Sequence, residues 1–348
     1  MSKRIFPKVL LVVVAVFGLQ VLSNVLSAQG LSQEAFERVK EVQERHTVRL
    51  LGIKGVEGTA IGLNENNRLA VKVFVARWDV AGIPKKLDDV PVQVVVTGKF
   101  YALPKPETPP SQEKKEKEEE VDPTARFDRP VPIGVSTGHP DITAGTIGCR
   151  VIDDSGNVYA LSNNHVYANS NEATIGDNVL QPGDYDGGID PDDAIGTLSD
   201  FEPIDFDGGP NTIDAAIAFS STGLLGNATP ADDPDGYGTP SSTTATAYVG
   251  LEVQKYGRTT GLTKGIVSGL SAIVNVYYGD DDVARFVEQI MITPTKGRFS
   301  AGGDSGSLIV TDPGKNPVGL LFAGGRRLTI ANPIDAVLSA FGVDIDGE

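Results

Sequence analysis

Gly302-Gly303-Asp304-Ser305-Gly306-Ser307, followed at once by the apolar run Leu308-Ile309-Val310, decides how this chain is read. A serine hydroxyl is a weak nucleophile at its free pKa. It acts only with a base nearby and a place for the developing oxyanion. Glycine tolerates backbone angles that other residues avoid, so the N–H groups of Gly303 and Ser305 can turn toward one point and form an oxyanion hole. The same composition also suits a plain turn between two strands. The hexapeptide alone leaves both readings open.

A nucleophilic serine needs a general base within hydrogen-bond reach and an acid that orients the base. The chain holds three histidines, His46, His139 and His165. His46 falls in or just after an expected N-terminal helix, and His139 precedes Pro140 in the approach to the β-rich region. His165 follows the expected strand Val158–Ser162, in Leu161-Ser162-Asn163-Asn164-His165-Val166, where a strand end presents a side chain to a cleft. His165 is therefore the candidate base, the alternative being a histidine satisfied in a core or turn. Asp214 stands alone among small and apolar residues in Asn211-Thr212-Ile213-Asp214-Ala215-Ala216-Ile217-Ala218. A buried aspartate is costly unless paired, which makes it the candidate to orient an imidazole; holding backbone amides is the alternative.

Around these residues the pattern is all-β. From Arg129 onward about eleven short Val/Ile/Leu-rich runs recur between Gly, Asp, Asn and Pro, the signature of a barrel pair or a sandwich. Among them are Gly145–Ile152, Ile213–Phe219, Lys264–Leu270, Ile273–Tyr277 and Val318–Phe322. A helix closes the chain, with Asn332 expected as its cap, Pro333 in its first turn, and Ile334, Val337, Leu338 and Phe341 on one face.

The order His165, Asp214, Ser305 resembles that of trypsin-like (chymotrypsin-clan) serine peptidases, over residues 130–343. Ser162-Asn163-Asn164-His165-Val166, Asp214-Ala215-Ala216-Ile217-Ala218 and Gly303-Asp304-Ser305-Gly306-Ser307 carry the resemblance. The nearer likeness is to bacterial and plant members that place a small α/β domain first. The resemblance implies a mainly β fold of two six-stranded antiparallel barrels with a C-terminal helix. The triad would lie in the cleft between them, His165 and Asp214 from the first barrel and Ser305 from the second. It implies that His165 takes the Ser305 proton, that Asp214 holds the imidazole, and that Gly303 and Ser305 N–H groups bind the oxyanion. It implies a substrate pocket at Phe299 and along Phe322-Ala323-Gly324. Phe299 offers no acid to receive Lys or Arg, so an apolar or restricted pocket is expected. No I-V-G-G-type start precedes the barrels, so pairing of a new N-terminus with Asp304 is not expected. An exported serine endopeptidase acting on protein or peptide follows; the alternative is a catalytically silent barrel that binds a partner.

Composition sets the wider frame. A formal net charge of −16 argues against nucleic acid and anionic membrane surfaces as partners. One cysteine, Cys149, forbids an internal disulfide and sits in an apolar run as an inert buried thiol. The histidines and the cysteine match no zinc spacing, and neither metal nor cofactor is expected. Asp184 to Asp193 is dense in carboxylates without the spacing of a calcium loop and reads as a solvated acidic loop. Residues 1–28 carry a basic head, an apolar run and a small-residue end, an export signal or N-terminal membrane anchor. Both place the remainder outside the cytoplasm. Residues 29–103 read as a small α+β domain, a pro-domain or interaction module. Residues 104–128, rich in Pro, Glu and Lys, read as a solvated linker before the protease-like body at 129–348. Oligomeric state leaves no mark on the sequence.

Overall fold

A computed structural model describes residues 32–102, 121–230, 236–279 and 282–348. The expected export segment and the charged run of the linker lie outside the described residues. Among those described, no helix is long and apolar enough to cross a membrane.

The chain opens with helix α1, Gln33–Leu51. Its start follows from the sequence: the Ser32 hydroxyl accepts the Ala35 N–H at 3.0 Å, and Glu34 sits in the first turn. Phe36, Val39, Val42 and Leu50 bury one face. Strands β1 (Val56–Leu63) and β2 (Leu69–Val75) form a hairpin whose turn is held by the Asn64 side chain. Strand β3 (Val90–Val96) runs parallel to β2, and β4 (Phe100–Ala102) ends this part.

After residue 120 come β5 (Cys149–Asp153), β6 (Val158–Ser162), helix α2 (Asn164–Tyr167), β7 (Asn178–Leu180), β8 (Ala194–Phe201) and β9 (Ala216–Ser220). Then follow β10 (Glu252–Gly257), β11 (Gly261–Tyr277), β12 (Val283–Pro294), β13 (Leu308–Thr311), β14 (Pro317–Gly325) and β15 (Leu328–Pro333). Helix α3 (Ile334–Phe341) and β16 (Val343–Ile345) finish the chain. One six-stranded sheet has the order β7-β8-β9-β6-β5-β16. In the other, pairing runs β10-β11-β12-β15-β14-β13 and returns to β10, a closed ring.

Two expectations change. Lys264–Leu270 and Ile273–Tyr277 are not separate strands but halves of β11. The register against β12 shifts between Gly269 and Ala272, and Ser271 takes φ 47°. The bulge flips the pleat: Gly265, Val267 and Gly269 point inward before it, and Ala272, Val274 and Val276 after it. Asn332 is not the cap of α3, since it lies in β15 and Pro333 takes that position.

The linker marks a boundary in composition but not in packing. Strand β1 pairs antiparallel with β11, and β4 pairs with both β11 and β14, so the N-terminal strands extend the second sheet. The reason lies in β1 and β2, which are buried on both faces. Ile61, Val71 and Val73 pack with Phe36 and Val39 of α1. Ala60 and Phe74 point the other way and share a core with Phe286, Phe322 and Ile330 of the ring. A hairpin apolar on both sides is stable only between two covers.

Candidate active site

The structure brings the predicted base and acid together. Strand β6 ends at Ser162, and α2 begins two residues later, lifting His165 off the sheet edge. Asp214 lies just before β9, the neighbour of β6. The His165 Nδ1 and Asp214 Oδ2 are 2.6 Å apart, and the His165 backbone N–H donates to Asp214 Oδ1 at 3.2 Å. Asp214 is fully buried and His165 is 8% exposed. A carboxylate this deep is stable only with partners. Tyr278, the residue after β11, supplies another: its hydroxyl donates to Asp214 Oδ2 at 2.7 Å. Burial, and then the Asp214 charge, hold the Tyr278 phenol well above its ordinary pKa, so it remains a donor. The Tyr278 ring meets the His165 ring edge-on at 5.9 Å and stacks over Phe286. The backbone of Asp214 is clamped as well. Asn163 donates to its carbonyl at 2.7 Å, and Asn332 donates to that carbonyl and accepts its N–H.

With Nδ1 on the carboxylate, Nε2 is the nitrogen left for chemistry, and among the described residues it has no hydrogen-bond partner. A cavity of about 230 Å³ lies beside it, walled by Ala102, Ile142, Val166, Ser170 and Tyr278 among others. The other two histidines are engaged elsewhere: His46 Nε2 with Asp88 at 3.0 Å and His139 Nε2 with Asp177 at 3.2 Å.

The Gly302–Ser307 turn packs against the same place. Gly306 takes φ 92°, and a methyl group on it would collide with the Ser162 hydroxyl and the Thr146 carbonyl. A methyl group on Gly145 would collide with the Val166 side chain and crowd the Ser305 carbonyl. Glycine at these positions is what allows the turn and the α2 corner to approach. Asp304 is fully buried and anchors the turn: it accepts from the N–H groups of Ala301 at 2.9 Å, Thr259 at 2.9 Å and Thr260 at 3.2 Å. The fully buried Lys255 ammonium is 3.4 Å from it and also donates to the Thr260 hydroxyl. Burial lowers the Lys255 pKa while Asp304 pulls it back up. An internal lysine thus supplies the positive partner of Asp304.

With Gly303 at φ 95°, the N–H groups of Gly303 and Ser305 have no protein acceptor among the described residues, whereas those of Asp304, Gly306 and Ser307 each donate to a carbonyl. Two free donors flanking one residue form a concavity suited to an oxyanion. The Ser305 hydroxyl does not bond His165; it donates to the Phe322 carbonyl at 3.5 Å, and Ser305 is 1% exposed. Catalytic hydrogen bonds often tighten only when substrate is present.

The predicted pocket residues divide. Phe322 is buried against Phe286, ring centroids 4.6 Å apart, and its carbonyl faces the Ser305 hydroxyl; Ala323 and Gly324 follow it on β14. Phe299 is elsewhere: it is 2% exposed in a core cluster with Val253, Val267 and Ile292. It is brought to neither His165 nor the cavity. In the acidic loop Asp184, Asp190 and Asp192 are exposed, as expected of a solvated loop, but two carboxylates are not. Asp186 pairs with the buried Arg258 and accepts from Ser136 at 2.6 Å. Asp193 is gripped by Arg126 at 2.7 and 2.6 Å, which holds its carboxyl below the usual range.

Sequence reasoning did not find Tyr278, Asn163, Asn332 or Lys255. Asn163 stood in the quoted motif without a role, and Asn332 was given the role of a cap. Lys255 lies within β10 and Tyr278 just past β11, where nothing in the spelling distinguishes them.

Residues 241–332 match the family described as the Nal1 C-terminal domain. No curated protein matches the chain. Among solved structures, a glutamic-acid-specific serine protease is similar at 24% identity and a TM-score of 0.45, over 62% of this chain and 100% of that one. A Nocardiopsis protease is similar at 18% identity and a TM-score of 0.44, over 62% and 99%. A Cellulomonas bogoriensis chymotrypsin is similar at 17% and 0.43, over 63% and 99%.

Proposed function

We infer that this chain is an exported serine endopeptidase of trypsin-like architecture, cleaving peptide bonds through an acyl-enzyme. The observation that carries the reading is the buried His165–Asp214 pair, 2.6 Å apart through Nδ1, with Nε2 beside a cavity and unpartnered among the described residues. In this reading His165 takes the Ser305 proton through Nε2 as the hydroxyl attacks the scissile carbonyl. The free N–H groups of Gly303 and Ser305 receive the oxyanion, and His165 returns the proton to the leaving amine. Asp214 holds the tautomer and balances the imidazolium, and Tyr278 holds Asp214. The two β-sheets are the two barrels, each contributing one side of the cleft, and Phe322–Gly324 form one wall of the substrate site. Residues 1–28 export or tether the chain, and residues 29–103 act on the peptidase body to which they are paired.

A second reading, a silent barrel that binds a partner through this cleft, draws on the Ser305 hydroxyl facing Phe322 rather than His165. Hydrolysis of labelled casein by the chain without residues 1–28, beside its Ser305→Ala version, separates the two. Cleavage by the first alone is the expected result. Equal, background-level turnover by both, with no fluorophosphonate adduct on Ser305, would sink the peptidase.

A further inference from the structure

A serine that attacks a peptide bond needs the substrate extended beside it, and a peptide is most readily held extended by adding to a free strand edge. Strand β14 is the strand beside Ser305, since the Phe322 carbonyl receives the Ser305 hydroxyl. Its next residues have no free edge. On one side Ala323 pairs with Ile330 and Gly324 with Thr329 of β15. On the other side Ala323 pairs antiparallel with Ala102 and Gly324 with Tyr101 of β4.

We propose that Phe100–Ala102 is an internal occupant of the peptide-binding edge, and that a peptide substrate reaches Ser305 only when β4 leaves that edge. The proposal rests on the peptidase reading. Four further observations support it. Ala102 forms part of the wall of the cavity beside His165, so the occupant reaches the candidate reaction centre. Ser305 is 1% exposed, a nucleophile shut away from solvent. The occupant is anchored upstream: the Arg326 N–H donates to the Thr97 carbonyl at 3.0 Å, and Gly325 leaves just enough room for Phe100 and Thr97. Phe100 is fully buried, edge-on to Phe74 at 5.7 Å, which ties β4 to the β1–β2 hairpin. Movement of the N-terminal part is thereby coupled to opening of the site.

The test locks and loosens the strand. Ala102 and Ala323 are direct antiparallel partners, close enough for a disulfide between cysteines placed there. In the full chain, the A102C/A323C variant is assayed on labelled casein oxidised and reduced, and Phe100→Ala is assayed beside wild type. The expected result is at least a tenfold lower rate in the oxidised than in the reduced form, and a several-fold higher rate for Phe100→Ala. Equal rates in the oxidised and reduced forms, with Ser305-dependent cleavage in both, overturn the occlusion and leave the peptidase standing. No cleavage by any form, and no fluorophosphonate adduct on Ser305 even in Phe100→Ala, overturns the peptidase and the occlusion with it.

Discussion

Asp214 makes the heaviest demand of any residue in the site. Its fully buried carboxylate is held by His165 on α2 and by Tyr278 just past β11, and its backbone by Asn163 and Asn332. Tyr278→Phe keeps the ring against Phe206 and Phe286 and deletes only the donor to Asp214. A hydrogen bond to a buried charge contributes ~1.5–3 kcal/mol, so kcat/KM is expected to fall by about ten- to a hundredfold. Steady-state kinetics on a peptide substrate would show it; an unchanged rate would mean that the phenol only packs. The raised phenol also fixes a pH behaviour. A group whose folded pKa is raised adds stability that is complete below its unfolded pKa, here about 10, and lost as pH rises through the folded value. Wild type should therefore lose thermal stability more steeply than Tyr278→Phe above about pH 10. The same scale shows what the sequence could tell. The His165–Asp214 pair was legible because the chain has only three histidines and a lone carboxylate among small apolar residues needs a partner, while Ser305, between Asp304 and Gly306, remains the proposed third member. Tyr278 was not legible, because a tyrosine following an apolar strand is spelled the same whether its hydroxyl meets water or a carboxylate 64 residues away in sequence. Phe299 is a different case, since it is buried in a core cluster. The count back from Ser305 was carried from a resemblance, while the side chain itself follows the rule that a large apolar residue packs into the nearest core.

At the scale of elements, the turn carrying Ser305 and the hairpin leading to β4 respond to different substitutions. Lys255→Met removes the ammonium beside Asp304 and leaves a fully buried carboxylate without a countercharge. Breaking a buried pair this way costs ~3–5 kcal/mol, so a fall in the unfolding midpoint is expected, together with slower fluorophosphonate labelling of Ser305. A variant with unaltered melting and labelling would show that the backbone donors alone hold Asp304. In the hairpin, Glu57 on β1 accepts from the Tyr277 hydroxyl at 3.1 Å, and burial raises the Glu57 pKa more than Tyr277 and Lys99 lower it. Tyr277 in turn is pushed up to about 12, by burial and then by Glu57. The raised carboxyl contributes stability below its unfolded pKa and loses it as pH rises through the folded value. Glu57→Gln should thus melt at or above the wild-type temperature at pH 7, with the difference vanishing near pH 4. A clear loss of stability at pH 7 would reverse the sign assigned to this pair. Element boundaries were legible where caps and turn residues fix them, as Ser32 and Asn64 do. They were not legible at β11, where the turn-like Ser271 is a bulge within one long strand.

The whole molecule is organised by a sheet that ignores the composition of the chain. A run of prolines and charges separates residues 32–102 from the rest in sequence, and from sequence alone the first part is a module. What the sequence could not reveal is the partner of its second apolar face. The near-continuous apolar runs of β1 and β2 suit burial on two faces but do not say what covers them, and pairing between residues as distant as Gly58 and Val274 leaves no local trace. The consequence is testable by truncation. Residues 121–348 alone would expose the edge of β11 that β1 covers, the edge of β14 that β4 covers, and the Phe286–Phe322 face now packed on Phe74 and Phe100. Long bare strand edges beside an apolar face favour aggregation. Expression of 121–348 is therefore expected to yield little soluble monomer. Supplying residues 32–102 as a separate chain should restore soluble protein that elutes as a one-to-one complex, because the sheet needs the strands rather than the covalent link. A truncated chain that is monomeric and melts cooperatively at the temperature of the full chain would show that the second sheet is complete without β1 and β4. The N-terminal part would then be a cover and not a component.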